Sequence, residues 1–238
     1  MNVNDLYLSD DDFERKLNIL KTKLRVRMNG ETSAQMERRQ SNYTINYGAS
    51  LPHVRELSAL LKFTADECRR LWLMDIRETM LIAAMQFPAE TADTEEMLHW
   101  AQRIKTSDMA EQSAFFLFSR LPDLEQFAIK LINENGTFSY ATACFSVARA
   151  LQSGRTVALN AVKELAYYIL NISKVSGTEA RAVSFLLRQV VRRGIDEVDV
   201  KSLLNSILEK DTNEVKLIAF EVQAEIEMLS SEKKLSHL

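Results

Sequence analysis

Apolar residues recur three and four positions apart along nearly the whole chain, and that rhythm predicts helix after helix. Phe13, Leu17, Leu20, Leu24 and Met28 form the first stripe, with Ser9 as the cap ahead of Asp10, Asp11 and Asp12, and Gly30 as the stop. A shorter polar helix is predicted over 33–39. The loop Asn46-Tyr47-Gly48-Ala49-Ser50-Leu51-Pro52 then leads into a helix capped by Ser50, with Pro52 in its first turn and Val54, Leu57 and Leu61 on one face. Thr64-x-x-Glu67 has capping-box spacing ahead of Leu71 and Trp72, and Asp75-x-x-Glu78 has it ahead of Ile76, Met80, Ala83, Ala84 and Phe87. Thr94 opens the helix holding Met97, Leu98, Ala101 and Ile104, and Ser107 caps a segment running to Leu121.

Pro122 restarts the chain into a helix that ends before Gly136, and Thr137 opens another that Gly154 closes. Further helices fit 156–172, 178–193 with Gly194 in the terminating position, 197–209, and 212–230 headed by Asp211-x-x-Glu214. No hairpin signal interrupts them. About a dozen helices joined by short turns predict an all-α protein of stacked antiparallel pairs, a degenerate α-solenoid, with a globular helical bundle as the alternative. No linker divides the chain, so a single domain over 1–238 is expected, with the first helices, residues 1–45, as a candidate N-terminal cap.

Composition supports this reading. Six Gly and three Pro in 238 residues are few, and nearly all fall at predicted boundaries. No run approaches the roughly 20 apolar residues of a membrane span, and the N-terminal stretch lacks both a basic and an apolar signal region. Cys68 and Cys144 each sit in an apolar helical run and read as small buried hydrophobes. A cytoplasmic protein that meets no membrane is the expectation.

Net charge is −3, which gives no overall attraction to nucleic acid, but the basic residues are clustered. Between Glu14 and Arg39 eight basic residues face three acidic ones, and Arg181, Arg188, Arg192 and Arg193 form a second group. Either could be an ordinary solvated face. His53, His99 and His237 have no metal-ligand spacing, and no phosphate-binding glycine loop or nucleophile motif occurs, so neither metal nor cofactor is expected. Carboxylates and aromatics on helices remain. Asp108 and Glu111, at the start of the helix after Thr106, share a face and are the acidic pair best placed for chemistry. Trp72 and Trp100 read as core.

A resemblance gives these residues a context. Tyr47-Gly48-Ala49-Ser50-Leu51-Pro52-His53-Val54-Arg55-Glu56-Leu57, then Leu71-Trp72-Leu73-Met74-Asp75-Ile76-Arg77-Glu78 onward to Ala83, then Arg181-Ala182-Val183-Ser184-Phe185-Leu186-Leu187-Arg188-Gln189 are similar, in order, to stretches of the AlkD-type bacterial alkylpurine DNA glycosylases, a HEAT-like repeat family of DNA alkylation repair. The resemblance covers roughly half the chain. It implies a curved solenoid with double-stranded DNA, alkylated or not, against its concave face, and hydrolysis of the N-glycosidic bond of N3- or N7-alkylated purines. Such a purine is cationic and leaves readily, so the site need only stabilise the oxocarbenium-like sugar with a carboxylate and aromatic faces.

Position by position, the resemblance places the catalytic carboxylate at Glu111, the supporting acid at Asp108, one aromatic wall at Phe185, and Ser107 where the family has Trp. Arg181, Arg188 and Arg192 become candidate DNA contacts. The family's paired arginines on the preceding helix have no counterpart at 138–143. Glu111 is one methylene longer than the family's Asp, and Ser107 removes an aromatic wall, so glycosylase activity is reduced or lost on this reading. Without the resemblance, Glu111 could equally be a helix-dipole acid, Ser107 a cap and Phe185 a core residue. A DNA-binding protein of this family, monomeric, is therefore expected, with a catalytically inactive protein–protein scaffold as the alternative.

Overall fold

In the computed structural model, residues 11–38, 43, 45–134 and 136–235 are described. They form thirteen α-helices and no strand beyond one isolated parallel bridge, Ile45 to Ile76. The all-helical expectation is met. The chain divides into two compact units, Met1–Pro88 and Ala89–Leu238.

The first unit contains α1 (Asp11–Val26), α2 (Gly30–Arg38), α3 (Leu51–Leu60), α4 (Ala65–Leu73) and α5 (Arg77–Gln86). The predicted stripe of α1 is its buried face: Phe13, Leu17, Leu20 and Leu24. Ser9 and Asp10, expected to start this helix, lie outside the described residues, as do Arg39 and His237. Gly30 does not end α1, which stops at Val26; it begins α2. Thr64 and Glu67 form the predicted capping box at α4. Ser50 is the N-cap residue of α3 as expected, but its hydroxyl makes no capping hydrogen bond and lies 3.2 Å from His53 Nδ1.

The second predicted box, at Asp75 and Glu78, does not form. Ile76 is the N-cap of α5 and Asp75 turns the chain at φ 56°. Glu78 is fully buried and points at the 46–50 loop, accepting from the backbone N–H of Tyr47 and of Ala49, each at 3.2 Å. Arg77, also buried, donates to Ala49 O at 3.0 Å and lies 3.4 Å from the Glu78 carboxylate. Buried backbone groups that cannot pair in a ladder need such partners. Gly48, at φ +66°, allows the loop to approach the α1–α2 turn: a Cβ there would sit 2.4 Å from Asn29 O. The Tyr-Gly-Ala-Ser and Arg-Glu stretches are thus two halves of one structural clamp.

The second unit contains α6 (Thr94–Gln102), α7 (Ser107–Phe116), α8 (Leu124–Ile132), α9 (Ser139–Gln152), α10 (Leu159–Tyr168), α11 (Gly177–Arg193), α12 (Val200–Leu208) and α13 (Asn213–Leu235). Helices α7, α9, α11 and α13 pack side by side in sequence, while α6, α8 and α10 form a second row, with α12 packing on α13. Thr106, not Ser107, caps α7, its hydroxyl accepting from Met109 N–H. The helix ends at Phe116 rather than Leu121, with a 3-10 turn over Phe118–Arg120 before Pro122. A Ser176–Glu179 capping box opens α11, and Gly194 closes it in the left-handed conformation. Thr94 opens α6 as expected, with Asp93 as its N-cap.

Trp72 and Trp100 are core, as read from the sequence. Cys68 and Cys144 are buried free thiols. Burial pushes Cys68 up to about 12 and Cys144 higher still, so neither is a nucleophile at neutral pH. No helix among the described residues is long and apolar enough to cross a membrane.

Candidate nucleic-acid interface

Helical spacing decides which side chains meet. On α7, Ser107, Glu111 and Phe115 follow one another at four-residue intervals and share one face. On α11, Arg181, Phe185, Arg188 and Arg192 make a corresponding stripe, while Ala182, Val183, Leu186 and Val190 are buried. Helix α9 lies between them and contributes Arg149, the one charged residue in SYATACFSVARALQ. Its neighbours Phe145, Ala148 and Ala150 are buried, so the guanidinium emerges from an apolar helix directly between the two stripes.

Glu111 meets two arginines. One carboxylate oxygen lies 3.6 Å from Arg149 Nη2, the other 3.7 Å from Arg181 Nη1. Both distances are within ion-pair range and beyond hydrogen-bond range. With the Glu111 side chain 30% exposed and that of Arg181 50% exposed, each pair is worth at most about 1 kcal/mol. Arg181 also donates through Nη2 to the Ser107 hydroxyl. The Arg149 guanidinium stands 4.7 Å from the centre of the Phe185 ring and 5.0 Å from that of Phe115, and donates to Gln152 at 2.8 Å. Its buried Nε has no hydrogen-bond partner. Cation–π contacts of this kind add roughly 0.5–1 kcal/mol each.

Two more arginines of α11 face acids of α13. Arg188 lies 3.7 Å from Glu221, which also accepts from the Ser184 hydroxyl. Arg192 grips Glu225 with Nε at 2.6 Å and Nη2 at 2.9 Å. Glu225 is only 6% exposed, and its hydrogen bonds hold the Arg192 guanidinium above its ordinary pKa. This fork is the one tight pair of the set, a buried carboxylate held by an exposed arginine.

Ser107, Glu111, Phe185 and Arg181 therefore come together around Arg149. Glu111 lies in the second turn of α7, because Thr106 takes the cap; the first-turn acid is the half-buried Asp108. Arg188 and Arg192 lie on the same α11 stripe but are turned to α13. Sequence reasoning missed Arg149, although a lone charge in an otherwise apolar and small-residue helix was a usable signal. It also missed Phe115, four residues beyond Glu111, and the Glu221/Glu225 pair, whose spacing matches that of Arg188 and Arg192. Among the described residues, no three His, Cys, Asp or Glu side chains are placed to hold a metal.

A row of stacked helices that presents arginines and aromatics from successive repeats defines a helical-repeat protein of the HEAT-like class. A model of the DNA alkylation repair enzyme family matches residues 20–174, close to two thirds of the chain, and the chain belongs to that family. Its fold is similar to that of a solved structure described as "A new family of proteins related to the HEAT-like repeat DNA glycosylases with affinity for branched DNA structures", with a TM-score of 0.69 at 9% sequence identity, covering 87% of this chain and 94% of that one. At that identity the likeness is one of fold. No curated protein matches the sequence. The family resemblance read from the motifs and the HEAT-like architecture are both borne out.

Proposed function

We propose that this protein binds the DNA backbone through Arg149, Arg181 and Arg188 and does not excise bases. One observation carries the reading: Arg149 lies against both Glu111 and Phe185, the two positions that the family resemblance assigns to catalysis. An excision site of this kind relies on a carboxylate whose field is directed at the sugar, where positive charge develops. Here two guanidinium groups share the Glu111 carboxylate and weaken the field it could direct there. A face of the Phe185 ring is covered by a guanidinium instead of being offered to deoxyribose. Ser107 supplies no aromatic wall and serves to hold Arg181.

The same arrangement suits phosphate. Guanidinium groups match phosphate oxygens in geometry and charge, and Arg181 keeps half of its side chain exposed. The affinity for branched DNA of the structurally similar protein supports a nucleic-acid role for this fold. Arg192, expected as a DNA contact, commits two of its donors to Glu225 and acts here as a strut between α11 and α13.

The scaffold reading draws on a different observation, the neutralisation of Arg188 and Arg192 by Glu221 and Glu225. Titration of labelled duplex and branched DNA separates the two. Three or four phosphate contacts predict that affinity falls roughly forty- to a hundred-and-fifty-fold between about 50 and about 200 mM salt. Absence of binding at low salt favours the scaffold. For catalysis, wild-type protein is expected to release no 3-methyladenine or 7-methylguanine from alkylated DNA above the spontaneous rate. Release that disappears in Glu111→Gln refutes the non-excising assignment.

A further inference from the structure

We infer that Glu111 is a built-in counter-anion that DNA phosphate must displace, so that it limits DNA affinity. The inference rests on the proposal that this face binds the DNA backbone. A carboxylate and a phosphodiester carry the same charge and accept the same guanidinium fork. In the free protein Glu111 occupies that role for Arg149 and Arg181 together, from the second turn of α7.

The distances show which pairs can exchange. Glu225 is buried and holds Arg192 at 2.6 and 2.9 Å, so it stays in place. Glu111 is partly exposed, stands 3.6 and 3.7 Å from its arginines, and makes no direct hydrogen bond to either. A phosphate that reaches the same guanidinium groups at hydrogen-bond distance gains contacts that Glu111 does not supply. Ser107 and the two phenyl rings hold Arg181 and Arg149 in place meanwhile, which lowers the ordering cost when phosphate arrives. After exchange the displaced carboxylate remains beside the phosphate as a like charge, and that repulsion is what keeps affinity down.

Removal of the Glu111 charge should therefore strengthen binding, whereas loss of an acid that positions the arginines for phosphate would weaken it. Like charges about 6 Å apart correspond to about a threefold effect on affinity at the dielectric of water, and to about tenfold at the lower effective dielectric of a protein surface once screening over a Debye length of about 8 Å is included. The test is titration of a fluorescein-labelled linear duplex with full-length wild type, Glu111→Gln, Glu111→Ala, Glu111→Asp, Arg181→Gln and the Glu111→Gln/Arg181→Gln double variant, each checked by thermal melting.

The Gln and Ala variants are expected to bind about three- to tenfold tighter, with the salt dependence steeper by about one phosphate contact. Glu111→Asp keeps the wild-type affinity, and Arg181→Gln removes most of the gain from Glu111→Gln. Equal or weaker binding by both uncharged variants, with wild type still binding in a salt-dependent way, overturns the counter-anion role and leaves the DNA-binding reading in place. No binding by wild type or by any variant at low salt overturns both.

Discussion

Glu78→Ala should unfold the first unit more readily than any surface change to it. The carboxylate is fully buried and accepts from Tyr47 N–H and Ala49 N–H, both belonging to residues that are themselves buried. Its removal strips two charge-assisted hydrogen bonds, leaves two amides without an acceptor and takes the carboxylate from Arg77, 3.4 Å away. Each charge-assisted bond is worth about 1.5–3 kcal/mol net, and breaking a buried pair by deleting one partner costs about 3–5 kcal/mol. These overlap rather than add, so about 3–5 kcal/mol is expected for Ala. Gln keeps one acceptor oxygen but turns an N–H₂ group toward an amide, and should cost about 2–3 kcal/mol.

Tryptophan placement makes the measurement local. Trp72 is buried in the first unit and Trp100 in the second, so a Trp100→Phe background leaves Trp72 fluorescence to report on Met1–Pro88. For a unit of this size the urea m-value is about 1–1.5 kcal/mol/M, so Glu78→Gln should lower the midpoint by about 1.3–3 M. A shift worth less than about 1 kcal/mol for Glu78→Ala would refute the clamp argument.

Four further outcomes follow from the geometry. Gly48→Ala should cost about 2–4 kcal/mol, because it combines left-handed strain with a Cβ 2.4 Å from Asn29 O, whereas Gly194→Ala, at φ +61° with nothing within 4 Å, should cost only about 1 kcal/mol; urea unfolding of both compares them. Arg192→Gln should destabilise by about 2–4 kcal/mol through the buried Glu225 while changing DNA affinity little, and Arg181→Gln should do the reverse, as melting and DNA titration of the two variants will show. Burial raises the Cys68 thiol from 9.0 to about 12, so above pH 9 the unfolded chain loses this proton first and stability falls between about pH 9 and 12, by at most about 1.4 kcal/mol per pH unit for this group. Both cysteines should resist a thiol reagent at pH 8 in the folded protein and react in denaturant; fast labelling of the native chain counts against their burial.

The helices were legible because their signals are local: a 3.6-residue period and Gly or Pro at boundaries need no knowledge of neighbours. Boundaries failed where a residue with capping chemistry was recruited over a distance. Glu78 has the spacing of a capping box with Asp75, yet it spans to the 46–50 loop about thirty residues earlier. Neighbouring residues competed for the cap at Thr106 and Ser107, and spacing could not separate hydroxyls one position apart. The site was half legible. Its α7 and α11 stripes are periodic within single helices and could be found by pattern. The pairing across helices could not, since nothing in the order of the chain says that Arg149 stands between Glu111 and Phe185.

That pairing also changes how the family motif is to be read. A carboxylate at the catalytic position is evidence of chemistry only while its charge remains available to the sugar. On the resemblance read from the sequence, the acid here is one methylene longer and a serine stands at the aromatic position; in the structure both side chains contact Arg181. Two guanidinium groups beside Glu111 draw on its field, so its pairing has to be weighed together with the missing aromatic of the same motif. Arginines on α9 and α11 flank it, and Ser107 at the start of α7 holds the second of them. Such consistency across helices is what the proposed anion exchange at two arginines requires, and the titrations of the Glu111 and Arg181 variants test it.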